Sequence, residues 1–350
     1  MADDQELTHP WSGDVNQAAL DDWIDSTTAF DRVRAVIDTT AEPVFAREIA
    51  EQASVAEPTA RRHLDSLVDA GRVTAVPAES GTKYKRAAGA IALRRVAGLH
   101  AQYSKEDLHN AIVDLRDELA GLREEYGVSN AADLATELDI EADGWTALSR
   151  MRDLESNLDI AKAALNLYDF DPDGRDTPDQ SDDGSLAGFG GYERLESGFM
   201  CRGEDVDGAL GPLDVLALEE IRAALTGIDG LIDTVGFQSL VDPEMVQMAI
   251  RDGIGEATDC RFDIRWYRGG YYSIHHTDST GRDFRWDYHP KVGAPDRHFH
   301  PPPDAPSDTV EPSCVTATRP AVVARAVHKL WRRAYDTGRL DRLNSASGDL

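Results

Sequence analysis

Between Asp169 and Gly191 the chain reads DFDPDGRDTPDQSDDGSLAGFGG, with seven aspartates, two prolines, several glycines and almost nothing apolar to bury. A segment of that kind cannot offset its ordering entropy, and its like charges repel, so it predicts a flexible linker. A linker at this position rules out one continuous core and divides the 350 residues into halves, 1–168 and 192–350, each long enough to bury a core of its own. The aspartates belong to a wider bias. The formal net charge is −28, from 43 Asp and 21 Glu against 30 Arg and only 6 Lys. Aspartate over glutamate and arginine over lysine is the composition of a protein kept soluble in multimolar salt, so the acidity reports on the solvent more than on a partner. Cys201, Cys260 and Cys314 are far apart and form no CxxC, which favours reduced thiols over a zinc ribbon or a disulfide framework. No apolar run approaches the roughly 18 residues that span a bilayer, and the start, MADDQELTHP, carries no secretion signal. The expectation is a cytoplasmic protein of a salt-loving cell, without a membrane partner.

Helical periods dominate the first half. Phe30, Val33, Val36 and Ile37 share one face of a predicted helix, and Phe45 to Ala53 forms a second, short one. A third, Glu57 to about Ala70, turns Ala60, Leu64, Leu67 and Val68 inward and stops at Gly71. Arg72 to Val76 then reads as a strand, with a turn at Gly81 and a return strand over Lys83–Arg86. Farther on, Ser104 and Asp107 form a capping box ahead of a heptad seam, Leu108, Ile112, Leu115, Leu119 and Leu122. Leu148, Met151, Leu154, Leu158, Ala161 and Leu165 continue in the same manner. From Arg61 to Arg95 eight Lys/Arg face three acids, a net +5 island in an acidic chain. The island falls on the third helix and on the hairpin.

The stretch REIAEQASVAEPTARRHLDSLVDAGRV resembles winged helix-turn-helix regulators of the ArsR/MarR-like superfamily, in particular haloarchaeal relatives, over about Thr28 to Arg86. The trailing heptad helices resemble the dimerisation helices of that group. The resemblance implies an all-α winged helix-turn-helix domain with long heptad helices, working as a homodimer on double-stranded DNA. With the apolar face inward, Thr59, Arg61, Arg62 and His63 are left to meet the groove, and Lys83, Lys85 and Arg86 to meet phosphate or the minor groove. Two other readings stay open: a solvated helix face, and a winged helix that contacts only protein. The heptad seam could equally pack back on its own domain.

In the second half a helix over Leu213–Leu225 gives way to period two. Phe262, Ile264 and Trp266 alternate with Arg261, Asp263 and Arg265. Turns at Arg268–Gly270 and Asp278–Gly281 then produce a three-strand meander to His289, with earlier strands near 231–240 and 244–250. A last helix runs from about Pro320 to Asp336. The expected fold is α+β, a curved antiparallel sheet with flanking helices. Five of the ten histidines (His275, His276, His289, His298 and His300) lie within 26 residues, three of them in RWDYHPKVGAPDRHFHPPP. That stretch admits three readings. One is a metal site from His289, His298 and His300. Another is acid–base chemistry on RNA, with arginines holding phosphate. The third is a proline-walled loop with an Asp287–Arg285 pair and partly exposed imidazoles. The order R-W-D, H-P, then H-x-H resembles the TumE-type toxins of toxin–antitoxin modules over roughly Ile221–Tyr335, departing from them at Tyr288-His289-Pro290 and at Phe299. The resemblance implies a growth-inhibiting, RNA-directed effector. On it His289, His298, His300, Arg285 and Asp287 are the expected catalytic set, with no metal and no cofactor. The combined expectation is a DNA-binding regulator of its own promoter fused to a toxin-like effector, the two domains in intramolecular contact. The alternatives are a metal-independent ribonuclease held inactive by its own N-terminal domain, or a protein-contacting winged helix beside a histidine metal site.

Overall fold

Helix α1 (Val15–Asp25) begins at Asp14, whose carboxylate accepts from the Asn16 and Gln17 N–H groups. A Thr28/Asp31 capping box starts α2 (Ala29–Asp38). In this computed structural model, which describes residues 11–138, 144–170, 210–291 and 293–348, α2 is followed by a compact unit. That unit comprises β1 (Val44–Phe45), α3 (Ala46–Gln52), α4 (Glu57–Asp69), β2 (Val73–Ala78) and β3 (Gly81–Arg86). The three strands pair antiparallel in the order β1-β3-β2. Gly71, at φ +68°, supplies the left-handed residue that releases the chain from α4 into β2. Val33, Val36, Ile37, Ile49, Ala60, Leu64 and Leu67 close over Val73 and Tyr84 as one core. Phe30 is not in it: 37% exposed, its ring meets the edge of His63 at 5.5 Å. It sits in the first turn of α2, where α4 offers it the half-buried His63 and no apolar side chain.

Next come α5 (Ala88–Gln102), α6 (Lys105–Tyr126), α7 (Ala131–Glu137) and α8 (Trp145–Leu167). The heptad seam of α6 does not await a second chain. Leu108, Ile112, Leu115 and Leu119 are buried in one cluster with Leu148, Met151, Leu154 and Leu158 of α8 and Val96 and Leu99 of α5. The expected dimer seam is thus consumed within the chain, because α8 returns the same apolar pattern to it.

The second half begins with α9 (Val215–Leu225) and continues as a seven-stranded antiparallel sheet. Its strands are β4 (Ile232–Phe237), β5 (Val246–Ile250), β6 (Cys260–Trp266), β7 (Tyr272–Asp278), β8 (Asp283–Tyr288), β9 (Arg297–His300) and β10 (Glu311–Pro312). Each pairs with the next in sequence, as hairpins require. Helix α10 (Pro320–Thr337) then crosses one face and ends at Gly338, φ +66°. Phe262, Ile264, Trp266, Ile274, Phe284 and Trp286 pack on that face with Ile221 of α9 and Val327 and Trp331 of α10. Because strand side chains alternate, Arg261, Asp263, Arg265, His275, Arg285, Asp287, His298 and His300 fall on the opposite face.

Two features join the halves. Val15, Ala19 and Trp23 of α1 belong to the core of the sheet domain, and the Asn16 side chain bonds to Cys314, Thr316 and Ala317 backbone groups. Ion pairs also cross between them. Arg86 meets Asp214, Arg94 bridges Asp38 and Glu219, and Arg150 holds Asp242 and Glu244 while Leu240 and Val241 pack on the helices. Beyond Phe170 the expected linker lies outside the described residues. Among the described residues no helix is long and apolar enough to cross a membrane.

Candidate functional site

On α4, burying Ala60, Leu64 and Leu67 leaves Arg61 and Arg62 exposed and Thr59 and His63 half-buried. Arg61 pairs with Glu57 one turn earlier, Nη2 to Oε1 at 2.5 Å, on the surface. Burial against Phe30 and the charge of Arg62 hold the His63 imidazole below its ordinary pKa, so it is neutral near pH 7. On β3, Lys83 lies with Nζ 4.9 Å from the Phe45 ring centroid, and Lys85 is half-exposed opposite Thr74. Arg86, expected with them, points elsewhere. Its Nη1 lies 3.4 Å from both Asp214 carboxylate oxygens and donates to the Asp38 carbonyl at 3.3 Å. It pairs with Val73 at the base of the hairpin, far from the tip and next to the start of α9. Arg94 and Arg95 of the same basic island also turn inward, the latter donating to Asn157 at 2.9 Å. The island therefore divides: Arg61, Arg62, Lys83 and Lys85 face out, Arg86 and Arg94 tie the halves together, and Arg95 bonds within the N-terminal half.

The second constellation is assembled by β8 and β9. Their register sets Arg285 opposite His300 and Asp287 opposite His298, and His289 follows directly after β8. All five residues expected in this site converge. Asp287 Oδ2 lies 3.0 Å from Arg285 Nε, 3.3 Å from His300 Nε2, 3.6 Å from His289 Nε2 and 3.8 Å from His298 Nε2. The imidazoles are not partly exposed as expected of a loop: His298 and His300 are 0% and His289 4% exposed. The reason is that RHFH forms a true strand, so His298 and His300 point together across the sheet while Phe299 joins the core.

Each ring is oriented from behind. His289 Nδ1 is 3.1 Å from the Pro290 carbonyl oxygen, His298 Nδ1 2.9 Å from that of Pro295, and His300 Nδ1 2.8 Å from that of Pro306. A carbonyl only accepts, so each Nδ1 carries the proton and each Nε2 offers a lone pair. Burial pushes the His298 imidazole down to about 4, with neighbouring His289 and His300 adding to the effect and Asp287 opposing it. Burial works against ionised Asp287; the Arg285 guanidinium, and the His289 and His300 imidazoles whenever they take a second proton on Nε2, hold its carboxyl far below the usual range. Asp287, His298 and His300 form a group able to hold a metal ion.

Sequence reasoning missed other polar centres. Asp229 takes His328 Nε2 at 3.1 Å and Arg332 Nη1 at 3.0 Å; burial alone would raise its carboxyl, but these bonds, with the Leu231 N–H, bring it down to about 2. His275 pairs with Asp283, while its neighbour His276 is fully buried between Phe262 and Phe284. Only the period-two alternation of β7 separates these two histidines, and it does so in the sequence itself.

Comparison with known proteins divides the chain at the same place. No curated protein and no solved structure matches it. Residues 27–170 match a family of unknown function, DUF7342, and residues 228–336 match the family described as Toxin TumE. The chain therefore carries a DUF7342 domain in its N-terminal half and a TumE toxin domain in its C-terminal half.

Proposed function

We propose that the N-terminal domain is a winged helix-turn-helix that binds double-stranded DNA, with the toxin-like domain as the effector carried on the same chain, and that the chain regulates its own promoter. The observation carrying this reading is the outer face of α4 with its adjoining hairpin. Arg61 and Arg62 project beside Thr59, and Lys83 and Lys85 stand on the neighbouring strand, in an order of elements suited to the major groove and flanking phosphate. High salt weakens the counterion-release gain, so binding has to lean on base contacts and shape. Arg86 is left out of the interface because Asp214 holds it. The test is retention of the full chain on DNA from its own upstream region in molar KCl. Replacing Arg61 and Arg62 together with Ala should weaken binding about tenfold or more; unchanged retention refutes the reading.

A second reading concerns the effector. The open face of the sheet presents half-buried Arg261, Arg265 and Arg285 with His275, a surface suited to an RNA backbone. The burial of His289, His298 and His300 speaks against their acting as acid and base on a bound ribose, since their Nε2 atoms face Asp287 and not the solvent. Cleavage of RNA by the full chain that is lost in Arg265→Ala and retained in His298→Gln would support this reading; no cleavage and no growth arrest on expression would remove it.

A further inference from the structure

The arrangement around Asp287 is electrostatically incomplete. The Nε2 lone pairs of three imidazoles crowd a buried carboxylate oxygen, and only that of His300 has a donor, Arg285 Nη2 at 3.4 Å. Among the described residues neither Asp287 Oδ1 nor His298 Nε2 has a hydrogen-bond partner, and the Arg285 Nε–H, though 3.0 Å from Oδ2, is not aligned to donate to it. Lone pairs facing lone pairs in a buried space repel unless a cation lies between them.

The geometry points to one divalent transition-metal ion, zinc by preference, held by Asp287 Oδ2 and the Nε2 atoms of His298 and His300, whose ligand atoms lie within 4.8 Å of one another, with His289 Nε2, 3.6 Å from Asp287 Oδ2, joining as a fourth ligand once its ring moves in. Zinc with nitrogen and oxygen ligands at about 2.0–2.1 Å requires tetrahedral ligand–ligand separations of about 3.3–3.4 Å. The three carboxylate-to-imidazole separations, 3.3, 3.6 and 3.8 Å, lie at or just above that edge. Imidazole donors select transition metals over calcium or magnesium, which take oxygen. The outer layer is also in place. Each imidazole gives its Nδ1 proton to a backbone carbonyl, the usual way a ligating histidine is oriented. All three carbonyls belong to prolines, whose fixed φ keeps them in position. This gives the proline-rich stretch a purpose: it holds the acceptors that aim the rings.

With His289 completing the set, near-total burial makes the site closed, hence structural and not catalytic. It would fasten β8, the 289–296 connection and β9 at one point. Arg285 Nη2, now 3.4 Å from His300 Nε2, would give up that lone pair to the metal and turn to the second oxygen of Asp287.

The competing arrangement is a metal-free network in which an imidazole takes a second proton and donates it to Asp287. Titration separates the two. Full-length protein, treated with chelator and returned to metal-free molar KCl, is titrated with Co(II) and with Zn(II) against a chromophoric chelator. We expect about one equivalent of Co(II) with the visible spectrum of a tetrahedral site, displaced by Zn(II), and a melting temperature raised about 5 °C or more by zinc. His298→Gln and His300→Ala should abolish uptake, and His275→Ala, outside the four, should leave it intact. Absence of uptake by the wild-type chain, or full uptake by both ligand variants, overturns the assignment. The wild-type titration decides even if a ligand variant fails to fold.

Discussion

Arg150 offers the sharpest test of how the two halves are joined. From α8 it reaches in two directions. Its Nε and Nη2 donate to the Glu118 oxygens of α6, both at 2.7 Å, and its Nη1 and Nη2 donate to the Asp242 oxygens at 2.9 and 2.6 Å. Glu244 adds a third carboxylate at 3.3 Å. Arg150→Met keeps the apolar stem and removes the charge, leaving three carboxylates without their shared cation. Glu118 is half in water, so that contact contributes about 0.5 kcal/mol. Asp242 and Arg150 are only 19% and 22% exposed, and breaking such a pair costs less than the 3–5 kcal/mol of a fully buried one; about 2 kcal/mol is reasonable. Asn157 still donates to Asp242 at 2.8 Å and limits the damage. The total loss is about 2–3 kcal/mol, and it survives molar salt because the contacts are shorter than the ~3 Å screening length there. Urea unfolding in molar KCl, followed by tryptophan fluorescence, measures it; urea leaves ion pairs unscreened where guanidinium would not. Arg150→Lys, which cannot grip both carboxylates bidentately, should recover less than half. A loss below about 0.5 kcal/mol for Arg150→Met would show that the bridge is idle and that Leu240 and Val241 alone hold the junction.

Three further outcomes are expected. His276 is fully buried with neither ring nitrogen hydrogen-bonded among the described residues, and burial pushes its imidazole from 6.5 down to about 3. Its contribution to stability is therefore present above pH 6.5 and lost as pH falls through 3, so His276→Leu should be stabilising by about 1 kcal/mol at pH 7 and about 3 at pH 5, and a pH-independent difference in urea midpoint would refute this. Glu220 behaves oppositely. Burial lifts its carboxyl to about 7, with a buried Oε1 that has no partner among the described residues, so its folded state holds the extra proton between pH 4.5 and 7 and stability falls as pH rises through that range. Glu220→Gln should raise stability at pH 8 by about 2–3 kcal/mol and flatten the slope; no change at pH 8 would show that water reaches the group. Leu115→Ala should cost about 2–4 kcal/mol without altering the mass measured by light scattering, because its seam is filled by α8; dissociation of a dimer by this change would contradict that packing.

Much of the fold is legible because its periods are strong. Leu64 and Leu67 with Gly71 mark α4 and its end, and the alternation Phe262–Ile264–Trp266 marks β6. The helix α5 is not legible, since Gly89 and Gly98 and a run of small residues blur its period. Phe30 misleads because periodicity assigns a face but not what the neighbouring helix presents to it. The site is legible as a set but not as a burial state. The order R-W-D, H-P, H-F-H names all five residues that meet at Asp287, whereas their closure depends on the β8–β9 register and on three proline carbonyls, which are tertiary facts. Arg86 shows the converse limit. Its place in a basic cluster is visible in the sequence, but its partner lies 128 residues away.

The packing of α1 on α10 has a topological consequence. Among the described residues the chain contributes α1 to the sheet domain, leaves it to build everything from α2 to α8, and then returns to complete that domain; Asp14 even bridges to Ser347. The DUF7342 region is thus an insertion in a discontinuous domain, held at both of its ends. During synthesis the inserted unit can fold while the sheet is still missing strands, and the sheet domain is finished only when α10 has emerged and met α1. A start of translation after α8 would yield a sheet domain stripped of Val15, Ala19 and Trp23, with the matching side of α10 open to water. In this architecture the TumE domain has no complete form without α1, which precedes the inserted unit.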